Sequence, residues 1–288
     1  MTTTTTSASP AELAAQYGLA PSSARPPLGD YVRQLWQRRH FITAFATSRT
    51  VTMYSGARLG QLWQVLTPLM NAAVYYLIFG VLFNTKHNID NFTAFLVTGV
   101  FVMSFCTRSV TSGARAISGN LAMIRALHFP RATLPFSSTI VELQQMLVSM
   151  VVLCLIVLAT GEPLTWSWLL VVPALALQTM FNIGLSLTMA RIGATVPDIS
   201  QLLPFITRVW LYFSGVFFLI PQRVHNPTMR EIMMANPASV YIELVRDAFI
   251  ERHDAPHHAW QLAVAWAIVG FVVGFWYFWG AEEKYGRG

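Results

Sequence analysis

The stretch TIVELQQMLVSMVVLCLIVLAT, residues 139–160, contains a single charged side chain, Glu142. The hydrocarbon core of a bilayer is about 30 Å thick, and a helix needs roughly 20 mostly apolar residues to cross it. Because unpaired backbone groups are not tolerated in lipid, a run of this length is expected to be a helix. Runs of similar length and composition recur along the chain, and the predicted spans are 62–83, 93–112, 139–160, 167–190, 201–221 and 260–280. The sequence therefore predicts an all-α integral membrane protein with six transmembrane helices.

The composition of the chain agrees with this prediction. Apolar residues make up 54% of its 288 positions and charged residues 11%, whereas a soluble globular domain has roughly 25% charged residues. A water-soluble enzyme of the ordinary kind and a disordered chain are therefore excluded. The formal net charge is +6, but most of the arginines outside the spans lie in the short loops of one side. This bias predicts a membrane protein with both termini in the cytoplasm, membrane lipids as neighbours and no nucleic-acid partner.

The N-terminal arm differs in composition from everything that follows it. Residues 1–28 are rich in Thr, Ser, Ala and Pro, and no basic segment followed by an apolar run occurs among them. A disordered cytoplasmic tail is expected there rather than a signal peptide, with residues 29–288 forming one transmembrane domain.

An amphipathic helix is predicted over about residues 30–47, with Asp30 as its N-cap. Arg33, Arg38 and Arg39 accompany its apolar positions. A basic amphipathic helix just before the first span is typical of the cytoplasmic headgroup region, where arginine stems lie along apolar surface. An ordinary packed helix is the alternative.

Two segments between the spans have helical patterns of their own. In the inner loop 113–138, Asn120 begins a predicted short helix that presents Leu121, Ile124 and Phe129, with Arg125 and Arg131 beside them and Pro130 as its stop. We interpret it as a cytoplasmic coupling helix that docks on a partner, and a solvated turn is the alternative. In the outer segment 222–259, the break at Asn236-Pro237 predicts two short re-entrant helices.

Motifs for covalent chemistry are missing from the sequence. The phosphate-binding patterns G-x-x-x-x-G-K-[ST] and G-x-G-x-x-G do not occur, and none of the seven histidines lies in a predicted span. The group His253, Asp254, His257 and His258 resembles a metal cluster, but Pro256 interrupts the helix that would align it, so a solvated loop is favoured. We therefore expect no enzyme activity, no cofactor and no metal in this chain, and any ATP would bind to another polypeptide.

Aromatic residues crowd the first and fifth predicted spans. A conduit for sugars would use such rings, because their faces pack against the C–H faces of sugars through weak, repeated contacts. Packing between helices is the alternative. The residues predicted to line a channel are Tyr75, Tyr76, Phe79, Trp210, Tyr212, Phe213 and Phe217.

Three motifs, in order, resemble the ABC-2 type permeases that export polysaccharides, namely the O-antigen and teichoic-acid exporters. The resemblance covers residues 30–288, although Met53 stands where these permeases often carry a basic residue. The arm rich in Thr, Ala and Pro and the use of Arg over Lys look actinobacterial, and the similar actinobacterial system exports the lipid-linked galactan of the cell wall. The motifs are Tyr54…Leu59-Gly60…Trp63…Pro68, Asn120-Leu121…Arg125…Phe129-Pro130-Arg131…Leu134-Pro135 and Asn236-Pro237…Glu243…Arg246.

The resemblance implies a homodimer that binds two copies of a nucleotide-binding ATPase subunit, in which ATP and Mg are held. The inner-loop helix would dock on this subunit and drive export of a polyprenyl-diphosphate-linked glycan across the membrane. The residues implied beside the entry path of the lipid diphosphate are Trp36, Arg38, Arg39 and Tyr54. An ABC-2 permease for a drug or a lipid is the first alternative, and a membrane glycosyltransferase is less favoured because the inner loops lack a carboxylate cluster.

Overall fold

The computed structural model describes residues 26–53, 55–56, 58–82, 89–127 and 129–285, and within these ranges the chain is helical and contains no β-strand. Tyr54 and the predicted tail up to residue 25 lie outside the described residues. Twelve α-helices are described. They are α1 (Leu28–Gln37), α2 (Arg39–Met53), α3 (Trp63–Tyr75), α4 (Phe92–Ala114), α5 (Leu121–Ala126), α6 (Thr133–Ala159), α7 (Val171–Thr195), α8 (Ile199–Phe213), α9 (Ile220–Arg223), α10 (Pro227–Ala235), α11 (Pro237–Phe249) and α12 (Ala259–Trp279).

Five helical segments are long and apolar enough to cross a membrane. Helix α3 reaches this length because a π-helical turn over Tyr76–Leu82 continues it, and α7 is preceded by a 3-10 turn. The segments are Trp63–Leu82, Phe92–Ala114, Thr133–Ala159, Trp166–Thr195 and Ala259–Trp279. They correspond to the first, second, third, fourth and sixth predicted spans.

The prediction of one continuous helix over residues 201–221 is wrong. Helix α8 has 15 residues, which is about 22 Å of helix and too short for the bilayer core. It ends at Phe213, and Gly215 follows with a φ of +63°, a backbone conformation that favours glycine. The chain then runs through a non-helical turn, residues 214–219, before α9 begins.

The two ends of the bundle are identified by their polar contacts. At the terminal end, defined by Tyr31, Arg131 and Glu282, the Glu282 carboxylate accepts hydrogen bonds from the Tyr31 hydroxyl and the Arg131 backbone N–H. At the opposite end, Glu162 accepts hydrogen bonds from the Asn91 side chain and the Glu251 backbone N–H. The first and last described residues of the chain therefore lie at the same end.

Helix α8 begins near the terminal end, because Gly193 at the end of α7 packs against the carbonyl of Ala114 at the end of α4. Its other half reaches the break between α10 and α11, where the Trp210 indole donates a hydrogen bond of 2.8 Å to the Asn236 side chain. The chain thus crosses between the two ends a sixth time through α8 and the turn that follows it.

The tightest packing in the bundle joins α7 to α12. A Cβ atom on Gly184 would overlap the carbonyl of Gly270, and one on Gly274 would overlap the carbonyl of Gly184. Small residues at such positions allow helix backbones to approach closely, which favours association in lipid through van der Waals contact. The glycine pair spaced by four residues in α12 and the single glycine in α7 therefore fix the contact between these two spans.

The N-terminal region forms two helices rather than the one predicted over residues 30–47. The N-cap of α1 is Pro27, and Asp30 lies in the first turn without capping it, where its charge suits the positive end of the helix dipole. The prediction that Asp30 is the N-cap is therefore wrong. Tyr31 and Ile42 are buried, so one face of each helix packs on the bundle.

Candidate functional site

The predicted coupling helix is shorter than expected. Helix α5 covers Leu121–Ala126, Leu127 is already extended, and Phe129 lies outside the helix. The prediction that Pro130 stops it is wrong, since the helix ends four residues earlier and proline restricts only the residue directly before it, Phe129. Asn120 donates a side-chain hydrogen bond to the Ala116 carbonyl, and this contact fixes the start of the segment.

The apolar residues of this segment face two directions. Ile124 is buried in a cluster with Tyr31, Leu134 and Phe278, whereas Leu121 and Leu127 are exposed. Phe129 packs against this cluster, with its ring centroid 6.1 Å from that of Phe41 on α2. The segment therefore presents an outer apolar surface while Ile124 anchors it to the bundle.

A buried polar group braces the chain directly after this segment. The Arg131 backbone N–H donates to the Glu282 carboxylate at 2.9 Å, and the Arg131 guanidinium donates to the Glu282 carbonyl. The Tyr31 hydroxyl donates to the same carboxylate at 2.8 Å and accepts a hydrogen bond from the Ala132 N–H. Three distant parts of the sequence are thereby joined, and Arg131 is engaged within the chain.

Burial controls the ionisation of this brace. Desolvation raises the pKa of the Glu282 carboxyl above its ordinary value, although the Arg131 backbone N–H, the Tyr31 hydroxyl and the Arg131 charge oppose it. Desolvation and the Glu282 charge raise the pKa of the Tyr31 phenol well above its ordinary value. Tyr31 and Glu282 were missed in the sequence because each looks ordinary alone, and only the fold places them together.

Four of the seven predicted channel residues share one aromatic cluster. The Phe217 ring lies 4.2 Å from Phe79, 5.0 Å from Tyr75 and 5.6 Å from Tyr212 between centroids, and Phe217 is only 1% exposed. Tyr212 is half exposed. The cluster therefore packs the turn after α8 against α3, and its accessible edge is on α8.

The other three predicted channel residues lie around this cluster. Phe213 is exposed on α8, and Trp210 is held by its hydrogen bond to Asn236. Tyr76 lines a cavity of about 590 Å³ at the opposite end, together with Asp90 and Glu162. These positions are thus distributed along α3 and α8 over more than one surface.

The turn after α8 is held by one arginine of α11. The Arg246 side chain is fully buried and donates hydrogen bonds to the carbonyls of Phe95, Gly215 and Val216 at 3.2, 3.0 and 2.9 Å. It also pairs with the Glu243 carboxylate at 2.9 Å, and its guanidinium lies 3.3 Å from the Phe95 ring centroid. If α8 had continued, the carbonyls of Gly215 and Val216 would have accepted hydrogen bonds within the helix. The Arg246 side chain donates hydrogen bonds to them instead.

The residues around Arg246 leave space for its guanidinium group. A Cβ on Gly99 would lie 2.7 Å from a terminal nitrogen of Arg246, so α4 needs glycine there. Burial lowers the pKa of Arg246 to about 10, which leaves it charged at neutral pH. Burial also raises the pKa of Glu243, but the hydrogen bond from His253 and the charge of Arg246 outweigh it, so the net shift is downward.

The histidine group after α11 does not form one solvated loop. His253 is mostly buried and lies 2.6 Å from the Glu243 carboxylate, which corrects the prediction for this residue, while His258 lies near Gln261. In the described part of the chain, no group of three or more His, Cys, Asp or Glu side chains is positioned to hold a metal ion.

The predicted interface residues are exposed at the junction of α1 and α2. Trp36 is 69% exposed, and the Arg39 guanidinium lies 5.2 Å from its ring centroid. Arg39 also donates a hydrogen bond to the Trp36 carbonyl, and Arg38 is exposed beside it. Tyr54, the fourth residue of this set, lies outside the described residues.

The sequence profile of the family described as ABC-2 type transporter matches residues 42–250. The chain belongs to this family. It is a multi-pass membrane protein of a transport system, and the matched range extends from α2 through α11, so it contains α5, α8 and the Arg246 site.

Several characterised relatives are similar over most of the chain. The O-antigen export system permease protein RfbA of Myxococcus xanthus is 26% identical over 234 residues, which is 81% of this chain and 89% of the relative. The protein of the same name in Klebsiella pneumoniae is 26% identical over 68% of this chain and 75% of the relative. The polysialic acid transport protein KpsM of Escherichia coli is 22% identical over 68% and 76%.

Proposed function

We propose that the chain is the permease subunit of a polysaccharide export system and that its cargo is a lipid-linked glycan. The observation that carries this proposal is the similarity, over two thirds or more of the chain, to permeases for O-antigen and to a transport protein for polysialic acid. The family alone includes other cargoes. The glycan is therefore inferred from the relatives, and galactan and teichoic acid are the cargoes that the sequence resemblance adds.

The energy source in this proposal is a separate nucleotide-binding ATPase, which holds ATP and Mg. Two copies of this ATPase bind a homodimer of the chain. The exposed Leu121 and Leu127 and the neighbouring Arg125 form the docking surface on α5. The brace of Arg131 with Glu282 supports this role, because it ties the docking segment rigidly to α1 and to the end of α12. Movement of the docked segment is thereby passed to both termini of the domain.

The direction of insertion in this proposal places the terminal end in the cytoplasm. The loops at that end carry Arg115 and Arg131, the short helix α5 carries Arg125, and Arg191 lies near the end of α7, in agreement with the positive-inside rule. The re-entrant helices α10 and α11 then enter from the outer side, with the corner at Asn236 close to α8 and α12.

The conduit is proposed to lie beside α3 and α8, whose outer faces are apolar and uncovered. Helix α8 exposes Leu202, Phe205, Ile206, Val209 and Phe213, and α3 exposes Met70, Val74 and Leu77. In a homodimer these faces would meet their copies around a passage lined by Tyr212, Phe213 and Tyr76. Weak aromatic contacts would then let a long glycan slide.

Reconstitution tests the proposed function directly. The chain is purified with a candidate partner ATPase that carries a Walker motif, and both are placed in proteoliposomes with a fluorescent polyprenyl-diphosphate-linked oligosaccharide. We expect transfer to the ATP-free side only when both proteins and ATP are present, and none with an ATPase variant that binds but does not hydrolyse ATP. Transfer by the chain alone, or transfer of the lipid without its glycan at the same rate, would contradict the proposal.

A further inference from the structure

A pocket with several charged side chains in its lining lies near the terminal end of the bundle, apart from Arg246 and from the aromatic cluster around Phe217. It has a volume of about 310 Å³ and is lined by side chains from α2, α4 and α6 and by Arg115 after α4. Cavities of roughly this volume and above hold small ligands in proteins. Its charged lining residues are Arg49, Arg108, Arg115 and Glu142.

The depth of the pocket follows from the positions of two arginines along α4. Arg115 directly follows the last residue of the helix, whereas Arg108 lies six residues before it, which is about 9 Å further into the bundle. The pocket therefore extends from the headgroup level toward the apolar part of the span. Charged residues at such depth are costly in lipid and mark binding or transport sites by default.

The ion pair at the bottom of this pocket is incomplete. Arg108 Nε and Glu142 Oε2 lie 3.3 Å apart, yet neither atom makes a hydrogen bond with any described residue, and both are inaccessible to solvent. A buried polar atom without a hydrogen bond is destabilising. The pair is therefore weakly held, and its separation would free the Arg108 guanidinium for another anion.

A contact outside the pocket positions the segment of α2 that carries Arg49. The Gln144 side chain on α6 accepts a hydrogen bond from Thr50 at 2.6 Å and donates one to Thr47 at 3.0 Å. These two threonines are close to Arg49 on either side, so α2 is fastened to α6 at the level of the pocket. The Arg49 side chain is exposed and lines the pocket.

The charges of the lining define the ligand. Three arginines against one glutamate leave a formal excess of two positive charges. A diphosphate that joins a lipid to a sugar carries two negative charges, one per phosphate, whereas phosphatidylglycerol carries one. Arginine forms the strongest hydrogen bonds to phosphate oxygens because its planar fork matches their geometry.

We propose that this pocket binds the diphosphate of a lipid carrier, and that the diphosphate displaces Glu142 from Arg108 as it enters. The inference rests on the proposed function for the identity of the carrier. It assigns diphosphate binding to Arg49, Arg108 and Arg115, in a place separate from the exposed Arg38 and Arg39 at the junction of α1 and α2.

Binding of farnesyl diphosphate to the full-length protein in detergent, followed by native mass spectrometry, tests this assignment. The double variant Arg49→Gln/Arg115→Gln should raise the Kd about tenfold or more, because two charge-assisted contacts are lost. Arg33→Gln removes an exposed arginine of α1 that does not line the pocket, and it should leave the Kd unchanged. Equal weakening in both variants, or no weakening in the double variant, would overturn the proposal.

The displacement of Glu142 by the diphosphate predicts a change in Kd of the opposite sign for a Glu142 variant. Glu142→Gln should lower the Kd for farnesyl diphosphate, because the competing negative charge is removed and Arg108 is released. A higher Kd in Glu142→Gln contradicts the exchange, and displacement of the probe by phosphatidylglycerol at equal concentration contradicts the diphosphate. Neither measurement involves ATP or export, so failure of ATP-driven export with intact binding would count against the proposed function alone.

Discussion

Replacement of Arg246 by methionine should unfold the outer half of the bundle at a markedly lower temperature. The variant removes the donors of three buried carbonyls and leaves Glu243 with His253 as its partner. Removing one member of a buried ion pair costs about 3–5 kcal/mol, and the three lost hydrogen bonds act in the same direction. We therefore expect a loss of about 4 kcal/mol or more, which corresponds to a fall in Tm of about 8–16 °C or more.

The thiol of Cys106 provides the assay. It is one of two cysteines in the chain and is completely buried on α4, the helix that holds Phe95. In a Cys154→Ser background, a thiol-reactive dye reports unfolding through Cys106 alone. The matched control is Arg252→Gln, because Arg252 pairs with Asp90 on the surface, where such pairs contribute little.

Arg246→Lys extends the test if the methionine variant does not fold. Lysine keeps the charge but lacks the planar fork that reaches three carbonyls, so its Tm should lie between those of the wild type and Arg246→Met. A Tm of Arg246→Met within about 2 °C of the Arg252→Gln control would refute the reasoning, because that difference corresponds to about 1 kcal/mol or less.

Three further predictions concern coupling, protonation and packing. Arg125→Asp or Leu127→Ala, at exposed positions of the docking surface, should reduce ATP-driven export while the partner still hydrolyses ATP, and unchanged export in both variants would count against docking at α5. Because the pKa of Glu282 is raised on folding, its carboxyl contributes stability at low pH that is lost as the pH rises through that raised pKa. The Tm of the wild type measured against Glu282→Gln should therefore increase as the pH falls through the raised pKa toward the ordinary glutamate pKa of about 4.3, and a constant difference would contradict this. Gly184→Ala should abolish a monodisperse elution profile, since its Cβ would overlap a carbonyl of α12, whereas Gly119→Ala, with open space around it, should elute as the wild type.

The five long spans were predictable because each depends on a local apolar run and on bilayer thickness. The break between α10 and α11 was also predictable, because Asn236 and Pro237 act locally as cap and first helical residue. The end of α8 was not predictable in this way. It depends on Arg246, more than thirty residues away, which replaces the hydrogen bonds that a continued helix would have made.

Partnerships between distant residues explain the remaining differences. Glu282 determines the position of Arg131 across 151 residues of sequence. A contact over this distance leaves no signal in the local periodicity of apolar residues. The aromatic pattern of the first and fifth predicted spans could not separate the buried Phe217 from the exposed Phe213. The exposure of these rings is decided by the turn after α8, and this turn depends on the same long-range contact.

The glycine contact between α7 and α12 distinguishes a rigid part of the domain from a part that can move. The backbones of α7 and α12 touch at Gly184, Gly270 and Gly274, so rotation of one helix against the other would cause atomic overlap. These two spans are therefore expected to behave as one rigid unit. Helices α3 and α8, by contrast, contain no glycine for such a contact, and we expect them to shift more easily. We therefore expect a passage through this domain to open when α3 and α8 are displaced relative to the rigid pair of α7 and α12.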